Sequence, residues 1–354
     1  MKKLHHIVPL LRLPAIVTLA FVMAWLVLYD FGELGSFVPA DKAADFETGD
    51  FYQMVEQAGS VRTLCDDVVL VPIDGLSRRE IASVIDEITL YDPKVIAIDL
   101  LWGFPQPETD SLLCDVLDSG ILTVVPDTTA YIYNQVPELI EGHVELYTEG
   151  ASNTVRLLAD GESMAAKVAR ILRPGLPVGK IADSHGLIHY GHYDFHILKP
   201  EQLALHPEII KGRAVFIGTL SDAADMHSTP VSAEMSGMLI HATSVATMID
   251  SFRDVRNSPE WFDWLLAIVF CTLFVFLNLR SQSWRGGQLI MRVSQIALLL
   301  LIVTGGTLIY LHTGLSINFS RPLLMVGAAA LAVDIWCGAE AFVNHKSHKK
   351  SHKR

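Results

Sequence analysis

The sequence predicts an integral membrane protein whose central part is one large α/β domain with a largely parallel, buried sheet. The mean hydropathy is +0.35. Of the 354 residues, 51% are hydrophobic and 19% are charged, which is too apolar for an ordinary soluble protein and too charged for membrane spans alone. The longest apolar runs lie near the two ends of the chain, whereas shorter β-branched runs lie between them.

Four apolar runs are long enough to cross a bilayer, since a spanning helix needs about 20 residues and at least about 17. They contain 17, 19, 19 and 21 residues: Leu13–Tyr29, Trp261–Leu279, Val293–Leu311 and Leu323–Val343. The first run, which follows Lys2 and Lys3, also fits a cleaved signal peptide with a small-residue site at residues 38–40. Because Asp30 and Glu33 separate that site from the run, we expect an uncleaved anchor.

The distribution of Lys and Arg predicts the orientation of these spans. Basic residues flank the first run, occupy the segment between the second and third runs and follow the fourth, whereas the loop between the third and fourth holds only Arg321. The positive-inside rule therefore predicts a multi-pass protein of the cytoplasmic (inner) membrane with both termini in the cytoplasm. The predicted order is a cytoplasmic segment 1–12, span 13–29, extracytoplasmic domain 34–258, span 261–279, cytoplasmic loop 280–292, span 293–311, external loop 312–322, span 323–343 and a basic tail 344–354.

The predicted extracytoplasmic domain is strongly acidic. Residues 34–258 contain 33 Asp and Glu against 15 Lys and Arg, a balance of −18. Such a surface argues against nucleic acid as a partner, because nucleic-acid binding needs basic residues. It suits cations or a basic partner, and it also keeps a domain soluble outside the cell.

Two of the four cysteines fall in this domain, where oxidation is chemically permitted. A disulfide between Cys65 and Cys114 is therefore one alternative and two free thiols are the other, because sequence does not give the distance between them. Cys271 and Cys337 fall inside predicted spans and are expected to act as small apolar residues.

The central domain begins with the pattern of a βαβ unit. Val68–Asp74 and Val95–Leu101 are β-branched runs typical of strands that are buried on both faces. Between them, Ser77–Leu90 predicts a helix, with Ser77 and Glu80 spaced as a capping box. A helical connection implies that the two strands are parallel.

The rest of the domain continues this alternation. The predicted elements are a helix at Asp110–Ser119, a strand at Ile121–Val125, a helix at Ser163–Leu172, a half-exposed strand at Leu187–Phe195, a buried strand at Ala214–Gly218 and a helix at Gly237–Ile249.

A spaced set of motifs in this domain resembles a known family. The strand Gly212-Arg213-Ala214-Val215-Phe216-Ile217-Gly218-Thr219 is followed by Asp225, Thr229-Pro230, Gly237 and Ile240-His241-Ala242. Together with Asp99, Asp110 and the three trailing apolar runs, this set resembles the CHASE2 domain. The resemblance implies an extracytoplasmic sensory module of bacterial receptors, usually followed by three transmembrane helices and a cytoplasmic output domain. Here only about ten residues follow the fourth run, and we expect the output to come from a separate polypeptide.

The resemblance supplies no ligand, so candidate residues are chosen on their chemistry. In an open parallel sheet, ligands bind beyond the carboxyl ends of the strands. The polar residues expected at that edge are Asp74, Asp99, Ser221, Asp222, Asp225, His227 and Thr229. They predict an acidic pocket for a cation or an amine-bearing ligand; the alternative is that each Asp caps a helix or holds a turn.

Four histidines lie close together at positions 185, 189, 192 and 196. On one continuous strand, alternation places His189 and His192 on opposite faces, so we expect surface or pH-sensing histidines and no metal site.

Asp334 falls near the middle of the fourth apolar run, where a charge costs at least about 2.5–3.5 kcal/mol. We expect it to face protein rather than lipid. Either it serves a proton relay or a partner, or it is protonated and bonded to Thr304 or Thr307.

The sequence contains no Gly-rich phosphate loop and no His-Glu-x-x-His, Gly-x-Ser-x-Gly or Cys-x-x-Cys motif. We therefore expect no catalytic residues, no enzyme activity and no cofactor. The predicted function is a sensor or receptor subunit that detects an extracytoplasmic ligand and signals through a separate signalling or membrane protein, in contact with membrane lipid and compatible with a homo-oligomer. The alternatives are a structural or assembly subunit that docks a partner through the acidic domain, and an extracytoplasmic enzyme that uses the strand-end cluster.

Overall fold

The computed structural model describes residues 4–34, 47–59, 62–102, 104–127, 132–148, 152–183, 186–250, 255–281 and 287–351. Some predictions fall outside the described residues: the boundaries on residues 1–3, 35–46, 282–286 and 352–354, and His185. The chain divides into two compact units. One spans Asp50–Arg256, and the other combines Met1–Gly49 with Asn257–Arg354.

The first unit is the predicted α/β domain. The predicted capping box is present, with Ser77 and Glu80 bonded reciprocally at the start of a helix. The strands of this unit are β1 Thr63–Pro72, β2 Val95–Asp99, β3 Thr123–Pro126, β4 Ile140–Gly142, β5 Tyr193–Ile197, β6 Ala214–Gly218, β7 Met226–Thr229 and β8 Ser232–Ser236. Its helices are α2 Thr48–Gly59, α3 Arg78–Thr89, α4 Pro107–Leu117, α5 Met164–Leu172, α6 Val178–Asp183, α7 Pro207–Ile210 and α8 Gly237–Ile249.

Six strands form one parallel sheet in the order β4-β3-β2-β6-β1-β5, which confirms the predicted α/β class. The last strand of this sheet in sequence, β6, lies between β1 and β2. Its residue Gly218 pairs with Pro72 on one side and with Asp99 on the other. The carboxyl ends of β1, β6 and β2 are therefore level with one another.

Alternate residues of the strands enter two apolar clusters, one on each face of the sheet, as a doubly covered sheet requires. In β6, Ala214 and Phe216 join the cluster with helices α5, α6 and α8, whereas Val215 and Ile217 join the cluster with α3, α4 and α7. The helices that follow β1 and β2 thus lie on one face, and the helix that follows β6 lies on the other. This reversal creates a crevice at the carboxyl end of β6.

The predicted strand at Leu187–Phe195 differs from the structure. Residues 190–192 form a turn, and β5 begins only at Tyr193. Tyr190 donates its backbone N–H to the side-chain Oε1 of Gln53 in α2 at 2.8 Å, so this segment packs against a helix instead of extending the sheet.

The second unit consists mainly of long apolar helices. In the described ranges, three helices are long and apolar enough to cross a membrane: Glu260–Ser281, Leu289–Thr313 and Ser320–Phe342. In the N-terminal helix only the shorter stretch Arg12–Val27 is apolar in the described part, so a fourth span stays a prediction. The elements are α1 Leu4–Leu34, β9 Arg256–Asn257 (at the junction of the units), α9 Glu260–Ser281, α10 Gly287–Thr313, β10 Leu315–Ser316 and α11 Ser320–Ser351.

The disulfide alternative for Cys65 and Cys114 is wrong in this fold, where both are free thiols. Cys65 belongs to the apolar cluster on the α8 face of the sheet. Cys114 packs against the cluster on the opposite face. Because the sheet lies between the two sulfur atoms, they cannot bond.

One alternative for Asp334, a bond to Thr304 or Thr307, differs from the structure. The hydroxyls of Thr304 and Thr307 donate to carbonyls of their own helix, at Leu300 and Val303, and not to this carboxylate. The side chain of Asp334 is 55% exposed within its unit, and its Oδ2 lies 3.8 Å from the guanidinium of Arg292 in α10.

Candidate ligand-binding cavity

A cavity of about 490 Å³ opens at the crevice beyond the carboxyl ends of β2 and β6. Small-molecule sites commonly occupy about 300–1,000 Å³ and lie at such reversals of strand connection. The lining comes from the end of β2, the loop after β4, the loop after β6 and the start of α8: Asp99, Leu100, Leu101, Val144, Glu145, Leu146, Thr219, Asp222, Ala224, Asp225, His227, Gly237 and His241.

Asp99 is the most unusual group of this lining. It is the last residue of β2, and its Oδ2 is buried with no hydrogen-bond partner among the described residues. Burial raises the pKa of Asp99, and the neighbouring carboxylate of Asp225 raises it further, while His241 and His227 lower it. A buried carboxylate oxygen without a partner is costly, so its position at a cavity wall is a mark of a binding site.

Asp225 is held at the other side of the cavity by the start of α8. Its Oδ2 accepts the backbone N–H of Gly237 at 3.0 Å, at the helix end where partial positive charge favours an anion. The Nε2 of His227 lies 3.5 Å from Oδ1 of the same carboxylate. Both side chains stay partly exposed, and they are available to a ligand.

His241 completes the cavity from α8, and sequence reasoning missed it as a site residue. It lies one helical turn beyond Gly237 and is 4% exposed. The helical spacing of Gly237 and His241 is the signal that places both on one side of α8.

The structure brings together four of the seven predicted site residues. Asp99, Asp222, Asp225 and His227 line the cavity. Asp222 also has a local role, because its carboxylate accepts the backbone N–H of Ala224 at 2.9 Å.

The other three predicted residues brace the surrounding loops. Asp74 accepts backbone N–H groups of Leu220 and Ser221 and the hydroxyl of Ser221, which donates at 2.5 Å. Partial burial raises the pKa of Asp74, but these hydrogen bonds outweigh it and lower the pKa overall. Thr229 donates its hydroxyl to the carbonyl of Ser232 at 3.2 Å and fixes the turn between β7 and β8. For these residues the turn-holding alternative describes the contacts.

The charge of the cavity indicates the chemistry that it suits. Four carboxylates, Asp99, Asp222, Asp225 and Glu145, surround it with two imidazoles. Within the part of the chain that the structure describes, these carboxylates do not form a group of three ligands close enough to hold one metal ion. An acidic lining of this kind suits a cation or an amine-bearing ligand.

The fold and the cavity define a class: a membrane protein that carries a doubly covered parallel α/β domain with an acidic pocket at its carboxyl edge. The family model described as "CHASE2 domain" matches residues 53–277, and the chain belongs to this family. CHASE2 domains are extracellular sensory domains. Neither the comparison with curated proteins nor the comparison with solved structures gives a match.

Proposed function

We propose that this protein is a non-enzymatic membrane sensor subunit whose CHASE2 domain detects a small amine-bearing or cationic molecule outside the cytoplasm. The observation that carries the proposal is the buried Oδ2 of Asp99 in the wall of the acidic cavity, which has no hydrogen-bond partner in the part of the chain that the structure describes. An ammonium or amidinium group placed there supplies the missing hydrogen bond and the missing charge.

The route of the signal follows the chain. Gly237 and His241, at the start of α8, line the cavity. α8 ends at Ile249, and the membrane-length helix α9 begins at Glu260. A ligand that binds the cavity more tightly when α8 occupies one of two positions shifts the population of α8 toward that position. The short connection then transmits this displacement to α9.

We further propose that both termini are cytoplasmic, that the Arg12–Val27 stretch forms a fourth span, and that a separate protein of the cytoplasmic membrane carries the output. The excess of Lys and Arg in the segments 280–292 and 344–354 supports this orientation. A cysteine-free chain with Asp222→Cys should react with an impermeant maleimide on intact cells, and one with Lys349→Cys only after permeabilisation. The opposite pattern would overturn the orientation.

The binding proposal is tested on the full chain in nanodiscs by thermal shift. The added ligands are putrescine, spermidine, arginine and ammonium, with anionic acetate and uncharged glucose as comparisons. We expect one or more amines to raise the melting temperature of the wild type and of Asp86→Asn. Asp86 is an exposed acidic residue of α3 outside the cavity, so it serves as the matched control. Asp99→Asn and Asp225→Asn should lose the shift. Equal shifts in all four proteins would contradict the proposal.

A structural or assembly subunit remains the second candidate, and one observation favours it. Asp334 and Arg292 are each more than half exposed on the surface of the apolar helices. Charged side chains at such positions pair with a neighbouring helix when one is present. Co-purification of a stable membrane complex that Asp334→Asn disrupts, with no amine binding, would favour this candidate.

A further inference from the structure

Three side chains with metal-ligating atoms meet at the amino-terminal end of the sheet, opposite the cavity. They are Glu56 of α2 and His189 and His192 of the segment before β5, and one ligand atom from each lies within 4.8 Å of the others. The side chains of Glu56, His189 and His192 are 2%, 1% and 19% exposed. The cluster is thus almost closed to solvent, with His192 at its open side.

The surrounding contacts hold the two histidines in place. The backbone N–H of His189 donates to the hydroxyl of Thr247 in α8 at 3.1 Å. The carbonyl of His192 accepts the N–H of Thr63, the first residue of β1, at 2.8 Å. Between them, a Cβ at Gly191 would stand 2.5 Å from the carbonyl oxygen of Gln53, so only glycine lets the turn approach α2 this closely.

The helix that supplies Glu56 is fixed as firmly. One turn and a half before it, Asp50 forms a buried two-point ion pair with Arg156, with contacts of 2.8 and 2.7 Å. Ligands whose backbone is fixed lose little freedom when they bind an ion, which favours affinity.

The chemistry of the three groups suits a divalent transition metal. Imidazole nitrogen and carboxylate oxygen are the ligands of Zn²⁺ in sites that keep one position open, and they also suit Ni²⁺ and Cu²⁺. The two imidazole rings are stacked, with centroids 4.8 Å apart and planes 9° from parallel. Since the lone pair of each imidazole nitrogen lies in the plane of its ring, one ring has to turn out of this stack for both nitrogens to bind the same ion.

The distances between the ligand atoms are close to those that a bound ion requires. The Nε2 of His189 lies 2.5 Å from Oε2 of Glu56, a hydrogen-bond distance at which a proton joins the two groups. The Nδ1 of His192 lies 3.5 Å from Oε1 of Glu56. Two ligands bound tetrahedrally at about 2.0 Å from Zn²⁺ are about 3.3 Å apart. An ion that replaces the proton therefore needs the first pair to open by less than about 1 Å, and the second pair is already at that spacing.

We infer that Glu56, His189 and His192 form a binding site for a divalent transition metal ion of the Zn²⁺ class, which ties α2 to the segment that enters β5. This site is distinct from the acidic cavity and does not depend on the ligand proposed for it.

The test uses the full chain in detergent, stripped with a chelator and titrated with Zn²⁺ alone. Because the sequence also has histidines at positions 345, 348 and 352, all proteins carry Asn at these positions to remove that contribution. The parent protein should retain one Zn²⁺ per chain after dialysis, measured by elemental mass spectrometry. His192→Ala should weaken Zn²⁺ binding at least about 10-fold, since loss of a ligand costs no less than loss of a group that supports one.

His196→Ala is the matched control, because His196 lies four residues further on and pairs with Asp66 at 3.3 Å, outside the cluster. It should bind Zn²⁺ like the parent. Glu56→Gln keeps the size of the side chain and removes its charge, so it decides the question if His192→Ala does not fold. Zn²⁺ binding that is equal in the parent, Glu56→Gln and any folded His192→Ala protein would show a hydrogen-bonded cluster without a metal and would overturn the inference.

Discussion

Gly237 and Asp225 approach so closely that a side chain at position 237 would have to displace the Asp225 carboxylate. A Cβ built on Gly237 would lie 2.5 Å from Oδ1 of Asp225. The backbone N–H of Gly237 donates to Oδ2 of the same carboxylate at 3.0 Å. The start of α8 therefore contacts the acidic wall of the cavity directly.

Gly237→Ala is expected to displace the Asp225 carboxylate from the cavity wall. The displaced atoms belong to a partly exposed carboxylate that can move, so the melting temperature of the full chain should change little, whereas the amine-induced thermal shift should disappear. Gly175→Ala is the control, because a Cβ at Gly175 meets nothing within 4 Å. An unchanged thermal shift in Gly237→Ala would show that Asp225 is not part of the site.

Asp99→Asn is expected to stabilise the protein while it abolishes binding. Within the described residues the carboxylate Oδ2 is buried without a partner, so removal of the charge should increase the free energy of unfolding at pH 7 by about 1 kcal/mol. Melting curves of the ligand-free full chain measure this directly. A lower melting temperature for Asp99→Asn than for Asp86→Asn would contradict the burial argument.

The pH dependence of that difference has a definite sign. Burial raises the pKa of Asp99 above its ordinary value of 3.8. A raised pKa in the folded state favours the protonated form, so the associated stability is present below pH 3.8 and is lost as the pH rises through the folded pKa. The advantage of Asp99→Asn over the wild type should therefore grow from acid toward neutral pH.

Part of this site could be predicted from sequence because strand ends are local features. Val95–Asp99 is a buried run that ends in a carboxylate, and the parallel pairing that follows from a βαβ unit places Asp99 at the same edge as the loop after Gly218. The partners of each carboxylate could not be predicted, since they depend on loop geometry. Asp99 ends β2 and Asp74 follows the end of β1 by two residues, yet of these two only Asp99 lines the cavity.

The histidine cluster shows why the remainder was not predictable. Alternation along one strand separates His189 from His192, but the turn at residues 190–192 reverses that relationship. The third member, Glu56, is 133 residues from His189 in sequence and belongs to a helix with no distinctive motif. Only the packing of α2 against the turn brings the three side chains together.

Asp50→Asn is expected to loosen α2 without affecting the rest of the sheet. The Asp50 and Arg156 side chains are 6% and 3% exposed, and loss of one partner of a buried pair costs about 3–5 kcal/mol. Hydrogen exchange of the full chain should become faster in Thr48–Gly59. Asp194→Asn removes the exposed Arg62 pair, which is worth less than about 1 kcal/mol, and should leave that exchange unchanged. Equal exchange of the helix in both variants would contradict this assignment.

All four cysteines are expected to remain thiols after purification without reductant. Alkylation in denaturant without prior reduction, followed by peptide mass spectrometry, should modify every one of them. In the folded protein Cys65 should react slowly at pH 8, because burial raises its pKa to about 11 and leaves little thiolate. A cross-linked peptide pair that contains Cys65 and Cys114 would refute the arrangement of the two clusters on opposite faces of the sheet.

Hydrogen exchange of the full chain in nanodiscs, with and without the amine that gives the largest thermal shift, tests the sensor account most directly. The account predicts slower exchange at residues 219–227 and 237–241 and a change that continues along α8 toward α9 in the wild type, and none of this in Asp99→Asn. Protection that is absent from these segments, or that persists unchanged in Asp99→Asn, would contradict it.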